Sequence, residues 1–331
     1  MEKKYKLTDE SVIVNGKTLH RIEALRDFGD VKKGNKGGFI EKENNLSQNG
    51  NCWVYDDAMV YGSARVYDNA IVYANSEVYG KAEVYHNAKV CGDAVVCDDA
   101  SIYGDAMVCG NADVYGNANV LDNAKVYGNA KVFENAQVFG KAEVYHNAQV
   151  YGNARVSVNA MVCGNAKVYG NARVYGIAEV CDDASIYGNA KVYDYAEVYD
   201  KAWVHGNAEV FNNAKVYDKA IICGDAMVYG KAEVYHNARI FGNAEVFGNA
   251  EIRGDAEIAS NSDYILFKNW WSSGRFFTWT KSNNMWKVGC FYGTGEELIE
   301  KAYKDSEKSG REYERVVKYV ESILEDNNAD V

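Results

Sequence analysis

The sequence predicts an all-β solenoid, because one six-residue phrase repeats through most of the chain without an inserted or deleted residue. The phrase is alanine, a variable residue, valine, an aromatic residue, glycine and asparagine, as in residues 124–129 and 166–171. Valine or isoleucine occupies every position divisible by six from Val54 to Ile258, which makes 35 consecutive copies. The chain also contains no proline, which suits a protein in which nearly every amide donates to a sheet ladder.

A period of six fits extended strands and does not fit an α-helix. In a helix, six steps of about 100° would turn each valine to a new side, whereas in a strand the alanine and the valine share one face. We therefore interpret each phrase as a short strand, Ala-x-Val-Tyr, followed by a Gly-Asn bend. Glycine and asparagine both tolerate the positive φ that a sharp corner demands. The predicted coil is lined inside by valine and alanine.

The repeat resembles that of the left-handed parallel β-helix, or hexapeptide-repeat, superfamily. In that family an aliphatic residue is followed four positions later by a small one, as Val126 is followed by Ala130 and Val168 by Ala172. The resemblance implies a left-handed winding, with three hexapeptides in each triangular coil and about twelve coils.

Residues 20–60 resemble the N-terminal part of the YdcK-like hexapeptide proteins, a bacterial group often described as acetyltransferases. The resemblance rests on Asp-Phe-Gly-Asp at 27–30, Gly-Gly-Phe-Ile at 37–40 and Cys-Trp-Val-Tyr at 52–55, in that order. It implies an acyl-transfer activity.

The phrase divides the chain into three segments. Residues 52–259 are the repeat. Residues 1–51 are predicted to be an N-terminal β cap, since an open solenoid end exposes strand edges and core. Within them, Asn15-Gly16 between two apolar segments predicts a hairpin. Residues 260–331 are predicted to be a small C-terminal α+β domain.

The C-terminal domain is predicted to begin with short strands and to end with two helices. The strands are expected at 264–269, 275–281 and 285–292, with a turn at 282–284. The sequences at 294–297 and 309–312 each have the pattern of a capping box that opens a helix.

The composition argues against several classes of partner. The formal net charge of −11 argues against binding a phosphate backbone. The sequence contains no apolar run long enough to span a bilayer and does not start with a signal-peptide pattern, so we expect no membrane partner and a cytoplasmic location. The eight scattered cysteines do not resemble a disulfide framework, and they favour a reducing compartment.

The outside of the rod is predicted to be repetitive, with the aromatic residues stacked in columns. Such columns either stiffen the sheets or form a surface for a protein, a polysaccharide or another rod. One nine-residue block, which ends in Tyr-His-Asn-Ala, occurs at 80–88, 140–148 and 230–238, at offsets of 60 and 90. Only 90 is a multiple of 18, so the copy at 80–88 lies on a different face from the other two. This favours a structural role over a localised site.

The histidines and the regular repeat predict no catalytic residue, no metal ligand and no cofactor. His86, His146 and His236 are copies of one corner and are too far apart to share a metal. The HxxxxH pair of hexapeptide carbonic anhydrases is absent from the sequence. The loops that interrupt the coils of hexapeptide acyltransferases are absent as well.

The cysteines are expected to be structural. The four at positions 91, 109, 163 and 181 take the aromatic position of one face, in two pairs whose members are three phrases apart. We expect them to replace tyrosine without forming a bridge, because both side chains of a pair point the same way. Zinc would need four ligands where a pair supplies two. Cys290 is expected to be a buried strand thiol and not a nucleophile.

The candidate partner-binding residues lie in the aromatic-rich segment 264–292: Trp270, Trp271, Arg275, Trp279 and Trp286. The Trp-Trp pair with the arginine resembles a stacking surface for a base or a sugar. The alternative is that these aromatic residues fill a compact core or pack on the last coil.

The function predicted from these observations is a non-catalytic structural or protein-interaction scaffold, with any recognition made by the C-terminal domain. The expected partner is an unidentified protein, and a trimer or an end-to-end homo-oligomer is considered. Two alternatives stay open: a hexapeptide-repeat acyltransferase, and an acidic nucleic-acid mimic that binds a host factor.

Overall fold

A computed structural model describes residues 3–271 and 274–329, with side chains described as far as residue 325. It shows a β-solenoid of about twelve turns, followed by a small C-terminal region of two helices and a four-stranded antiparallel sheet. The fold class predicted from the six-residue period is therefore confirmed. Among the described residues, no helix is both long enough and apolar enough to cross a bilayer.

The N-terminal segment is a hairpin with a third strand. β1 (Tyr5–Val14) and β2 (Lys17–Ala24) pair antiparallel, and β3 (Lys36–Ile40) pairs with β2. Asn15 and Gly16 form the predicted turn, with φ of 50° and 75°. A 3-10 helix, Glu43–Asn45, then leads into the solenoid.

The N-terminal segment packs on the first coil through buried side chains. Trp53 is 1% exposed and meets the rings of Tyr5 and Phe28 edge to face, at centroid distances of 6.1 and 5.2 Å. The fully buried Lys4 donates from Nζ to the carbonyl oxygen of Cys52 over 2.9 Å. Burial lowers the pKa of this ammonium group. The first coil is thus covered by apolar rings and one satisfied amine.

The solenoid consists of 35 two-residue strands, β4 to β38. Each contains the valine or isoleucine at a position divisible by six and the residue before it, from Trp53–Val54 to Glu257–Ile258. Each strand pairs in parallel with the third strand before it and the third strand after it, as β10 pairs with β7 and β13. We call the three resulting sheets face I (every third strand from β4 to β37), face II (β5 to β38) and face III (β6 to β36).

The four-residue strand predicted from Ala-x-Val-Tyr is wrong in length. Only the middle two residues are strand, because the alanine and the aromatic residue already belong to the corners. The backbone ladder nevertheless continues through the corners. The amide of Tyr127 donates to the oxygen of Val144 over 3.0 Å, and that of Asn129 donates to His146 over 2.7 Å.

The core of the solenoid is one continuous column of valine, isoleucine and alanine, with Cys52 and Ser76 at two of the alanine positions. Val126 and Ala130, for example, are both 0% exposed. Burying a valine side chain stabilises a fold by roughly 1.5–3 kcal/mol, so the column is the main source of stability in the repeat. The predicted interior is confirmed.

Of the two residues that follow the aromatic position in each phrase, the first has a positive φ and the second does not. Gly128 has φ of 74°, and Asp182 and His146 both adopt 58°. Glycine is frequent here because a Cβ on Gly92 would lie 2.8 Å from the backbone nitrogen of Gly110 in the next coil. The positive φ expected for the bend is therefore present, and it is confined to the first of its two residues.

The asparagine instead forms ladders along the corners. Its side-chain amide donates to the Oδ1 of the equivalent residue in the next coil, over 2.8 to 3.2 Å in the longest ladder. That ladder lies between faces II and III and contains Asn117, Asn135, Asn153, Asn171, Asn189, Asn207 and Asp225.

The aromatic columns predicted for the outside are confirmed. Tyr151 and Tyr169 are parallel, with centroids 4.9 Å apart. The Tyr127 hydroxyl donates to Oε2 of Glu143 over 2.9 Å. Burial and this hydrogen bond raise the pKa of Tyr127 to about 12. Because each ring covers the next, most ring faces are not available to a ligand.

The structure joins the cysteines of face I in two disulfides, Cys91–Cys109 and Cys163–Cys181. The expectation that these pairs stay unbridged is wrong. The Cα atoms of stacked residues lie 4.6 and 4.5 Å apart, which is within the range that a disulfide spans.

The C-terminal region contains four strands, where three were predicted. They are β39 (Tyr264–Lys268), β40 (Phe276–Thr280), β41 (Met285–Val288) and β42 (Phe291–Gly293). The third predicted strand is divided because the chain turns back at Gly289, which has φ of 55°.

Two helices follow the sheet. α1 (Gly295–Asp305) starts at the predicted capping box, in which Thr294 Oγ1 accepts the amide of Glu297. α2 (Glu307–Ala329) starts earlier than predicted, because the side chain of Ser306 accepts the amide of Ser309.

The C-terminal region packs on the last coil. Thr278 accepts the amide of Glu251 over 3.0 Å, and the Lys287 ammonium group pairs with Glu251 at 2.5 Å. The Arg253 guanidinium lies 4.4 Å from the centroid of the Tyr292 ring. The last coil is thus covered on its open side.

We expect the Asn153→Ala substitution to lower the free energy of unfolding by roughly 1–3 kcal/mol, since it removes two ladder hydrogen bonds, each worth ~0.5–1.5 kcal/mol. Urea denaturation followed by circular dichroism measures the change. Asn213→Ala is the matched control, because the exposed Asn213 occupies an equivalent corner position without a ladder partner among the described residues. Equal losses in both variants would refute a stabilising role for the ladder.

We expect the protein to lose stability between about pH 10 and pH 12. Tyr79, Tyr127 and Tyr199 have pKa values raised to about 12 in the fold, against about 10 in an unfolded chain. A raised pKa stabilises the fold fully below the unfolded value and ceases to do so as the pH passes the folded value. Melting temperature and tyrosinate absorbance against pH measure this, and full tyrosine ionisation near pH 10 in folded protein would contradict it.

Candidate partner-binding site

The candidate site lies in the connection between β39 and β40. Trp270 is 84% exposed, the highest value among the large apolar side chains that the structure describes. It meets Trp271 edge to face, with centroids 6.2 Å apart and planes at 89°. An indole held in this way presents an apolar plane to the solvent.

Trp271 anchors this connection to the core of the C-terminal region. Its half-buried ring lies 6.1 Å from Phe277 and 6.2 Å from Tyr313, between centroids. Its amide donates to the side chain of Asn269 over 3.1 Å. The exposed Trp270 therefore projects from a fixed base.

Arg275 brings positive charge to the same connection. Its exposed side chain passes close to Gly289, where an added Cβ would lie 3.2 Å from Cδ of the arginine. Burial raises the pKa of Tyr313, and the charge of Arg275 opposes that shift. The exposed indole of Trp270 can bind an aromatic group by stacking.

Two of the five predicted residues lie elsewhere. Trp279 and Trp286 are each 2% exposed, with centroids 6.5 Å apart. Trp279 Nε1 donates to Asn284 Oδ1 over 2.9 Å. Both indoles fill the core of the C-terminal region because β40 and β41 direct them towards α1 and α2. The surface group therefore consists of Trp270, Trp271 and Arg275.

The three copied histidines do not form a site. His86 lies at a corner between faces III and I, whereas His146 and His236 lie between faces I and II, five coils apart. His236 Nδ1 lies 2.7 Å from Oδ2 of Asp218. Across the described residues, no group of three or more His, Cys, Asp or Glu side chains is arranged to hold a metal ion.

The Cys290 thiol is exposed, so the expectation that it is buried is wrong. The residue belongs to the turn between β41 and β42 and not to a strand, since the chain reverses at Gly289. No histidine lies in residues 260–331 to act as its base.

A groove on face II was not predicted. It has a volume of about 600 Å³, and Trp203 and Ile221 lie among its lining residues. The feature of the sequence that could have revealed this groove is Trp203 itself. Apart from Trp53 under the N-terminal segment, it is the only tryptophan at the variable position of the repeat.

The comparisons with known proteins give partial matches. The family model described as the YdcK beta solenoid repeat matches residues 64–80 and 148–164. Both segments lie within the solenoid.

A protein of Escherichia coli (strain K12), described as "Uncharacterized acetyltransferase YdcK", is 49% identical over 47 residues. The aligned part is 14% of this chain and 14% of that protein, so the chain covers a small part of the relative's length. Together with the solenoid fold, the two matches fit the predicted resemblance to the YdcK-like hexapeptide-repeat proteins.

Proposed function

We propose that this protein is a non-catalytic scaffold, in which a rigid solenoid carries a protein-recognition site in the C-terminal region. The observation that carries the proposal is the exposed Trp270 on its fixed base. Exposed tryptophan and arginine are enriched among the residues that dominate protein–protein binding.

The solenoid supports the scaffold role because its outer groups bind one another. Ring faces stack within columns, as Tyr151 stacks on Tyr169, and corner amides bond along ladders. Such a surface stiffens a rod and leaves few free groups for chemistry. The proposed partner is therefore a protein that binds at one end of a stiff spacer.

The acidic charge of −11 supports a partner other than nucleic acid. Among homo-oligomers, a side-by-side trimer fits better than end-to-end stacking, because β3 and the C-terminal region cover the two ends. The location that we propose is the cytoplasm. The two disulfides weigh against it, since such bridges are rare in a reducing compartment.

A second candidate function is acetyl transfer, which rests on the name of the E. coli relative. It would require a cleft for the acyl carrier, and in an uninterrupted solenoid that cleft would have to lie between copies of the chain. The scaffold is favoured because the repeat runs without interruption from Trp53 to Ile258.

We expect the Trp270→Ala substitution to remove most of the partner protein that the full-length chain retains from a lysate of its own cells. Truncating a hot-spot residue of an interface costs at least ~2 kcal/mol of binding free energy, or more than about tenfold in affinity. Quantitative mass spectrometry of the retained proteins measures the loss.

Tyr195→Ala is the matched control, because Tyr195 is also exposed, at 59%, but lies on the solenoid. It should retain the partner as the unaltered chain does. Equal retention by the Trp270 variant would place recognition outside this site and refute the proposal.

We expect acetyl-CoA to leave the melting temperature of the full-length protein unchanged, and expect no release of free CoA thiol when amine substrates are added. A ligand at 100 times its Kd would stabilise the fold by ~2.7 kcal/mol, which scanning calorimetry detects. A raised melting temperature together with thiol release would refute the scaffold and establish the transferase.

A further inference from the structure

We propose that the groove on face II docks an extended acidic peptide segment that carries an apolar side chain. The groove lies beside the corner between faces I and II, and spans four successive coils. Its lining consists of Asn165, Lys167, Asp183, Ser185, Lys201, Trp203, Lys219 and Ile221. This groove lies outside the proposed recognition site, so binding in it does not depend on Trp270.

The apolar part of the groove arises where apolar residues replace the usual polar ones at the variable position of the repeat. Trp203 and Ile221 are parallel neighbours on face II, and both occupy the variable position, which is mostly polar elsewhere. Trp203 is 47% exposed, and its ring meets Tyr187 edge to face at 6.5 Å. Unlike the column tyrosines, it is not stacked between two parallel neighbours among the described residues. Its indole can therefore receive an apolar side chain.

The lysines of the groove are not paired with a carboxylate of the described residues. Several other lysines of the solenoid pair with carboxylates one coil away, as Lys125 does with Glu143 at 2.9 Å. The exposed Lys167, Lys201 and Lys219 have no carboxylate oxygen within 4.0 Å in the described part of the chain. These three ammonium groups outnumber the one carboxylate of the lining, Asp183, so the groove complements a ligand that combines carboxylates with an apolar group.

The negative charge of the neighbouring surface favours a short peptide over a long anionic polymer. Lys201 and Lys219 also border a second groove, whose other side is a column of Asp182, Asp200 and Asp218. A nucleic acid or a long acidic polysaccharide would extend over these carboxylates and be repelled. A single extended peptide can keep its carboxylates on the Trp203 side of the lysines.

The length of the groove also suits a peptide. Lys167 and Ile221 are three coils apart, or ~14 Å at about 4.8 Å for each coil. An extended peptide of about four or five residues spans that distance. Alternate side chains of such a segment would face Trp203, and the others would lie beside the lysines.

The test is fluorescence anisotropy with the full-length protein and a labelled short peptide that alternates leucine and glutamate. We expect saturable binding that weakens as salt is added. The double substitution Lys201→Glu and Lys219→Glu should weaken it at least about tenfold, because it replaces two attractive charges with two repulsive ones. Trp203→Ala should weaken it at least about threefold through the lost apolar contact.

The control pair is Lys89→Glu with Lys141→Glu, which makes the same change of net charge at exposed lysines that also lack a described carboxylate partner. It should leave binding unchanged, and circular dichroism should show the same fold in every variant. Absence of peptide binding, or equal loss in the control pair, would overturn the proposal. So would equal affinity for a leucine–lysine peptide, or tighter binding of heparin or single-stranded DNA at the same lysines.

Discussion

The solenoid depends on the narrow space between its three faces, which admits only side chains as small as valine, isoleucine and alanine. Every copy of the phrase contributes one branched and one small residue, and both are excluded from water, as Val150 and Ala154 are. Each coil is stabilised only by its neighbours, so a larger residue in the column would weaken two interfaces at once. The buried Ser76 is accommodated because its hydroxyl donates to the oxygen of Tyr73 over 2.8 Å. This constraint explains why the period tolerates no inserted residue, while the variable position changes freely.

The fold could be predicted because the core residues recur in the sequence with a regular period of six. Period and residue size define the coil, and the Asn15-Gly16 turn and the Thr294 cap follow from local chemistry. The disulfides, the asparagine ladders and the two-residue strands could not be predicted. The 4.6 Å that separates Cys91 from Cys109 is close to the general strand spacing of about 4.8 Å, but a linear pattern does not contain the directions of the side chains or the points where the backbone bends.

The candidate site was predictable only as a region. The density of aromatic residues pointed to the C-terminal domain, but burial decides which of them meet solvent. Trp279 and Trp286 lie in the same aromatic-rich segment as Trp270, but they are buried in the core of the C-terminal region. The groove around Trp203 needed the structure for another reason: its lysines belong to separate copies of the phrase, and only the coil brings them together.

The division of each coil into three hexapeptides has a geometric consequence for the whole molecule. Adding three phrases to the repeat would lengthen the rod by one coil and leave the C-terminal region pointing the same way. Adding a single phrase would turn that region by about a third of a revolution relative to the N-terminal hairpin. The copy number therefore sets both how far apart the two ends of the protein lie and the relative directions in which they face.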